Sequence, residues 1–175
     1  MSDFKLNLLK PIAFFDLETT GTNVGSDRII DISVLKVDVS NQRQNKTWRV
    51  NPGIPIPEVS TKVHGITNEM VKDCPPFKFV AYEISTFLEN CDLAGYNSNK
   101  FDVPLLVEEF MRAEVDFDLH NRKLIDVQNL FHLMEPRSLV AAYKFYCGKD
   151  HVGAHDAAAD VEATYEVFCS QLERY

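Results

Sequence analysis

Residues 11–17, PIAFFDL, are apolar apart from one acid and read as a strand. Two further runs, 28–39 (RIIDISVLKVDV) and 43–50 (RQNKTWRV), also read as strands, and the short polar turn SNQ between them makes the pair a hairpin. The next ten residues, NPGIPIPEVS, hold too many prolines for a helix or a central strand and are expected to form an extended loop. The period then changes. Phe77, Val80, Ile84 and Phe87 recur at helical spacing within FKFVAYEISTFLEN. CDLAGYN (91–97) reads as a short strand, and VPLLVEEFMRAE (103–114) as a helix that tolerates Pro104 only in its first turn. KLIDV (123–127) is a further strand, and SLVAAYKFYCG (138–148) a helix ended by Gly148. In the last predicted helix, 156–174, Ala158, Val161, Tyr165, Phe168 and Leu172 form an apolar stripe expected to face the core. The order β-β-β-α-β-α-β-α-α predicts an α/β fold, a five-stranded mixed sheet that opens with an antiparallel hairpin and is flanked by helices.

No repeat, low-complexity tract or Gly/Ser linker interrupts this pattern, and 175 residues suit one domain, taken as 1–175. Four scattered cysteines (Cys74, Cys91, Cys147, Cys169) have neither C-x-x-C nor zinc spacing and read as free thiols. The N-terminal MSDFKLNLLK lacks the apolar core and cleavage site of a secretory leader, and no apolar run has a membrane span's length. The expectation is a cytoplasmic protein with no membrane partner. The net charge of −8 argues against broad, non-specific binding along a nucleic-acid backbone. It leaves room for a site that engages a few phosphates through metal ions.

Such a site has candidates. Side chains alternate across a strand, so Asp16 and Glu18 in FFDLETTG share one face while Phe15 and Leu17 take the other. Two close carboxylates repel unless a cation lies between them. On the strand alone, a metal site and a pair of solvated edge acids stand as alternatives. Asp102, in GYNSNKFDVPLL, opens a predicted helix and by itself reads as an N-cap. In HVGAHDAAADVEATYEV, Asp156 is placed to cap the last helix. His155 then falls in the preceding loop and Asp160 in the first turn, so both can reach one point. A loop histidine suits a general base near neutral pH; His151 is given no role. Four acids and a histidine outline a two-metal phosphoryl-transfer site, and hard oxygen ligands select Mg²⁺ or Mn²⁺.

FDLETTG, NSNKFDVPLL and HDAAAD, in this order, resemble the three motifs of the DEDDh 3′–5′ exonucleases, the DnaQ-like superfamily of the epsilon proofreading subunit of DNA polymerase III. VHGIT (63–67) resembles the family's H-G-I-T segment, and the likeness runs over about residues 11–170. The resemblance implies a ribonuclease H-like fold and two bound Mg²⁺ (or Mn²⁺) ions. Asp16, Glu18, Asp102 and Asp160 would be the metal ligands and His155 the base that deprotonates the attacking water. The sister group's tyrosine position is filled here by Asp156, which supports the histidine variant. Leu17, Thr19 and Thr20, with His64 and Ile66, would surround the 3′-terminal nucleotide, and Asn97 or Asn99 would contact the substrate backbone. One departure is an extra residue between Asn97 and Phe101–Asp102 relative to the common G-H-N-x-x-F-D form.

The implied activity is hydrolysis of nucleic-acid 3′ ends, single-stranded or frayed, to nucleoside 5′-monophosphates, with DNA as the expected substrate and proofreading or repair as the setting. An oligoribonucleotide exonuclease, a non-catalytic nucleic-acid-binding domain of the same fold and a small-ester metal phosphatase stand as alternatives, and a DNA polymerase subunit as a possible partner. Lys100, Lys144 and Lys149 are candidate phosphate contacts, equally readable as solvated surface. Asp126, at the end of the strand KLID, reads as a residue behind the metal ligands or as structural, and Asp31 as a sheet residue.

Overall fold

The computed structural model describes residues 5–175, whose contacts divide the chain into two compact units, the first ending at Gln128 and the second beginning at Asn129. The first unit is built on five strands: β1 (Ile12–Thr19), β2 (Ile29–Val37), β3 (Arg43–Arg49), β4 (Asp92–Gly95) and β5 (Leu124–Asp126). They form one sheet in the order β3-β2-β1-β4-β5. β1–β2 and β2–β3 are antiparallel; β1–β4 and β4–β5 are parallel. This is the mixed sheet with an initial hairpin that the sequence predicts. The hairpin turn is shaped by Asp38, whose Oδ1 accepts the Ser40 and Gln42 N–H groups at 2.8 and 2.9 Å, and by Asn41 in the left-handed region (φ 65°).

Between β3 and β4 run α1 (Glu58–His64), α2 (Asn68–Val71) and α3 (Phe77–Phe87), and between β4 and β5 runs α4 (Asp102–Arg112). One face of the sheet packs under α3 and α4. Ala13, Phe15 and Leu17 of β1, Ile32 and Val34 of β2 and Trp48 of β3 meet Phe77, Ala81 and Ile84 of α3 and Val103, Leu106 and Phe110 of α4. Phe110 is fully buried, edge-on to Phe77 and stacked on Phe117. Burial of one such ring contributes about 1.5–3 kcal/mol. Ile12, Val37 and Ala94 form a smaller cluster with Phe14 and Leu35.

Two expectations need correction in this unit. The segment 51–60 is not wholly extended, because α1 starts at Glu58. Pro57 stands at its N-cap with φ −63°, and Gly65 closes it in the left-handed region, so the prolines that exclude a strand also start a helix. The four-residue α2, capped by the Thr67 hydroxyl accepting the Met70 N–H, was likewise not expected.

The second unit carries α5 (Val127–Met134), which begins in the last residues of the first unit, then α6 (Leu139–Cys147) and α7 (Ala157–Arg174). α6 ends at a left-handed Gly148, as predicted, and Asp156 caps α7 by accepting the Ala158 and Ala159 N–H groups. α5 was not anticipated. The predicted core stripe of α7 is also corrected: Val161, Tyr165, Phe168 and Leu172 are exposed, and the buried positions are Ala163 and Val167. α7 turns toward α6 the line that includes Glu166, Ser170 and Arg174, which reach Lys149, Cys147 and the rings of Phe145 and Tyr146. Amphipathic spacing identifies a stripe but not the neighbour that a helix face will meet. Among the described residues no helix is long and apolar enough to cross a membrane.

Gly95 ends β4 where a Cβ would lie 2.6 Å from the Ser98 Cβ and 3.0 Å from the Phe15 carbonyl oxygen. Gly95→Ala is expected to destabilise the protein by about 1–3 kcal/mol, the usual cost of overpacking, read as a lower midpoint in urea unfolding.

Candidate active site

β1 delivers the first two acids as its alternation requires: Phe15 and Leu17 enter the core, Asp16 is exposed and Glu18 half-buried on the opposite face. Antiparallel register sets Asp16 against Ser33 and Glu18 against Asp31 of β2. Asp31 in turn faces Arg49 of β3, whose guanidinium donates to it at 2.8 and 2.6 Å. Burial pushes the Glu18 pKa up, the charges of Asp16 and Asp31 add to the rise, and His64 opposes it.

Asp102 is the first residue of α4, but Phe101 holds the N-cap position with no side-chain cap bond. The capping role that Asp102 suggests in isolation is therefore not the one it plays. Its carboxyl is buried and its pKa is pushed up to about 6, by burial first and by Asp16 next. A hydrogen bond from the Leu17 backbone opposes the rise, and Asp126 adds to it. Pro104 sits in the first turn of α4, where its missing N–H leaves no gap.

The residues expected around a terminal nucleotide lie in the same unit. The Leu17 side chain is buried in the core, and its backbone bonds the Asp102 carboxyl. Thr19 donates its hydroxyl to the Gly21 carbonyl at 2.6 Å, and Thr20 is buried. The Ile66 side chain is buried with Ile30, Ile56 and Val71. His64 Nδ1 accepts the Ile66 N–H at 3.0 Å, so the neutral ring carries its proton on Nε2, a buried atom with no partner among the described residues. That is an unused donor. Asn97 adopts a left-handed backbone (φ 59°), and its N–H and that of Asn99 donate to the two oxygens of Asp126 at 2.9 and 3.2 Å. Asp126, buried at the end of β5, thus shapes the loop leading to Asp102.

In the second unit the cap at Asp156 sets Asp160 in the first turn of α7 and leaves His155 before the helix, exposed and left-handed (φ 77°). The His155 N–H donates to Asp160 Oδ1 at 3.3 Å. His151, to which the sequence assigned no role, has a buried side chain, with Nε2 2.7 Å from the same oxygen. That hydrogen bond is the main cause holding the Asp160 carboxyl below the usual range. The two lie nine positions apart, across the loop and the start of α7, and no periodicity marks such a pair. Lys144 and Lys149 are paired with Asp150 and Glu166, whereas Lys100 is an exposed residue of the loop before α4.

Among the described residues no three His, Cys, Asp or Glu side chains stand gathered as a ready metal cluster. The donor chemistry nevertheless fits a hard divalent cation. Asp16, Glu18 and Asp102 offer only carboxylate oxygens, and Asp16 raises the pKa of both the others. A cation would relieve that repulsion.

The five-stranded mixed sheet with its initial antiparallel hairpin is that of a ribonuclease H-like fold. A family model described as Exonuclease (RNase_T) matches residues 13–168, and the chain belongs to that family. It is 30% identical over 163 residues to a PolC-type DNA polymerase III of Caldanaerobacter subterraneus subsp. tengcongensis, covering 91% of this chain and 11% of that protein. It is 28% identical to the DNA polymerase III epsilon subunit of Buchnera aphidicola, over 82% of this chain and 60% of the relative. With the 3′-5′ exonuclease DinG of Bacillus subtilis the identity is 27%, over 91% and 17%. The chain thus spans less than two thirds of each of these relatives. Its fold matches that of a zinc-bound E. coli ExoI–ssDNA complex with a TM-score of 0.65 at 20% identity, over 93% of this chain and 40% of that one.

The raised Asp102 pKa fixes the sign of a pH effect. The folded state holds this proton more tightly than an unfolded chain with the ordinary value of 3.8. The associated stability is full below 3.8 and is lost as pH rises through about 6. In EDTA at pH 7.5, Asp102→Asn is expected to melt a few degrees higher than the wild type and to lose the wild type's decline in Tm between pH 5 and 7, in a thermal melt followed by circular dichroism.

Proposed function

We propose that the chain is a divalent-metal-dependent 3′–5′ exonuclease that works in the cytoplasm on DNA, releasing nucleoside 5′-monophosphates from a free, single-stranded or frayed 3′ end. The observation that carries this reading is Asp102, a carboxyl taken out of water beside Asp16 without an ion pair among the described residues. Such an arrangement is costly in a resting protein and suits one that binds cations. Family membership and the relatives' names, epsilon, PolC and DinG, support an exonuclease and favour DNA. Docking on a polymerase subunit is part of the same reading.

Asp16, Glu18 and Asp102 are the ligands we assign to the metal pair, Mg²⁺ or Mn²⁺. The order of the motifs along the chain is what joins Asp160 and His155 to them. When bound, the ions would polarise the scissile phosphodiester and supply an activated water. His155 takes the proton from the attacking water. The Asp160 hydrogen bonds to the His155 N–H and to His151 restrain the loop that carries this base. The Leu17 backbone, Thr19, Thr20, His64 and Ile66 receive the terminal nucleotide, with the unused His64 Nε2–H donating to one of its oxygens. Asn97 or Asn99 contacts the substrate backbone from the loop that Asp126 holds.

The test is end-labelled DNA and RNA, single- and double-stranded, incubated with Mg²⁺, Mn²⁺ or EDTA, with products resolved by gel and chromatography. Stepwise release of nucleoside 5′-monophosphates from DNA 3′ ends, abolished by EDTA, is expected. Preference for RNA would shift the reading to an oligoribonucleotide exonuclease, and binding without turnover would make the chain a non-catalytic domain.

Two variants separate the roles. Asp16→Ala should lose both Mn²⁺ binding, measured by calorimetry, and activity. His155→Ala should lose about 10²–10⁴-fold in kcat while keeping Mn²⁺ binding; loss of metal in that variant would give His155 a different job.

A further inference from the structure

A buried charged cluster outside the proposed chemistry lies between α4 and the loop that follows β1. Glu109 of α4 is 1% exposed. It accepts from Arg28 Nε and, at 3.2 Å, Arg28 Nη2, and from Arg112 Nη1 at 3.0 Å. The Arg112 guanidinium reaches further, donating to the carbonyls of Val24 (3.2 Å), Gly25 (2.8 Å) and Asp27 (3.0 Å). One side chain thus gathers three carbonyls of the loop.

That loop ends on Thr20. Asp27 Oδ1 accepts the Thr20 hydroxyl at 2.8 Å, and Asp27 Oδ2 accepts the Asn23 N–H at 2.8 Å. The Arg28 N–H donates to Thr20 Oγ1, and the Arg28 carbonyl accepts the Thr20 N–H, both at 3.0 Å. Ser60 of α1 donates its hydroxyl to the Thr20 carbonyl at 2.7 Å. Every polar atom of Thr20 is therefore held, and two of its holders, Asp27 and Arg28, are themselves held by Arg112 and Glu109. A buried ion pair is a weak source of stability, because desolvation offsets its attraction, and its best-attested use is to impose one geometry. Here the geometry imposed is that of the turn Thr19–Gly21.

We infer that Arg112 and Glu109 are positioning residues for the 3′-terminal nucleotide, acting through Asp27, Arg28 and Thr20; the inference rests on the exonuclease reading above. Their hydrogen-bond and ion-pair partners among the described residues include none of the proposed metal ligands. Removing the brace should loosen the nucleotide's seat and leave the acids of β1 and the head of α4 as they are. Lysine is the informative substitute at 112, because it keeps the charge but has no planar fork with which to span Glu109 and three carbonyls.

The experiment compares wild type, Arg112→Lys and Glu109→Gln at a temperature well below the lowest of their melting points. It measures KM and kcat on a single-stranded DNA oligonucleotide, and calorimetric affinity for Mn²⁺ and for a nucleoside 5′-monophosphate. For both variants KM should rise about tenfold or more, with kcat within about twofold. Monophosphate affinity should fall in parallel, and Mn²⁺ affinity should match the wild type. If Glu109→Gln does not fold, Arg112→Lys decides alone. An unchanged KM and monophosphate affinity in Arg112→Lys, even with a lower melting point, overturns the inference, and so does a loss confined to Mn²⁺ affinity. A wild type that cleaves no oligonucleotide but binds the monophosphate, with the affinity lost in Arg112→Lys, overturns the exonuclease reading and keeps the brace. A wild type that does neither overturns both.

Discussion

The period of β1 is the constraint on which everything else depends. With the side chains alternating every residue, Phe15 and Leu17 can enter the core under α3 and α4 only if Asp16 and Glu18 stand on the other face. A slip of one residue would drive two carboxylates into hydrocarbon and expose a phenylalanine and a leucine, so the apolar packing fixes where the acids must be. Neighbouring strands then decide what the acids meet. The antiparallel register brings Asp31 against Glu18, and Arg49 answers Asp31 from the strand beyond.

Around this strand the first unit spends its polar groups on loops. Asp126 at the end of β5 holds the backbone of the Asn97–Asn99 loop, and Asp27 and Ser60 hold Thr20. Both loops follow the C-terminal ends of strands, where open α/β sheets gather their ligands. Asp102 differs from these acids. It is buried at the head of a helix, relieved by a backbone N–H and burdened by Asp16 and Asp126. Asp27 and Asp126 are each satisfied by several hydrogen bonds, whereas at Asp102 the backbone bond is outweighed by burial and by the charge of Asp16, the contrast on which the proposed role of Asp102 rests.

The elements legible from sequence were those with a strong period or a clear terminator. The three opening strands, α3, α4, and α6 with its Gly148 cap fall where the pattern places them, because packing and capping there agree with local preference. Asp156 was readable as a cap and positions Asp160 and His155 accordingly. What escaped were short or unusual elements. α1 hides among prolines, α2 is one turn long, and α5 has no buried residue to produce a stripe with a purpose. The stripe on α7 was visible, but the face turned toward α6 is another one, since a hydrophobic period carries no information about the direction of the neighbour.

The sequence by itself determined the sheet, its hairpin, the two acids on one face of β1, and the ordered motifs that mark the exonuclease family. These follow from local periodicity and from residue spacing, both properties of the chain read in one dimension. Only the tertiary structure decided that Asp102 is a buried acid rather than a cap, that His151 holds Asp160, that His64 keeps an unused donor, and that Arg28 and Arg112 close on Glu109 from 81 and 3 residues away. Each depends on which distant groups share a desolvated space. Desolvation and partnership belong to three-dimensional neighbours, so no local spacing could have declared them.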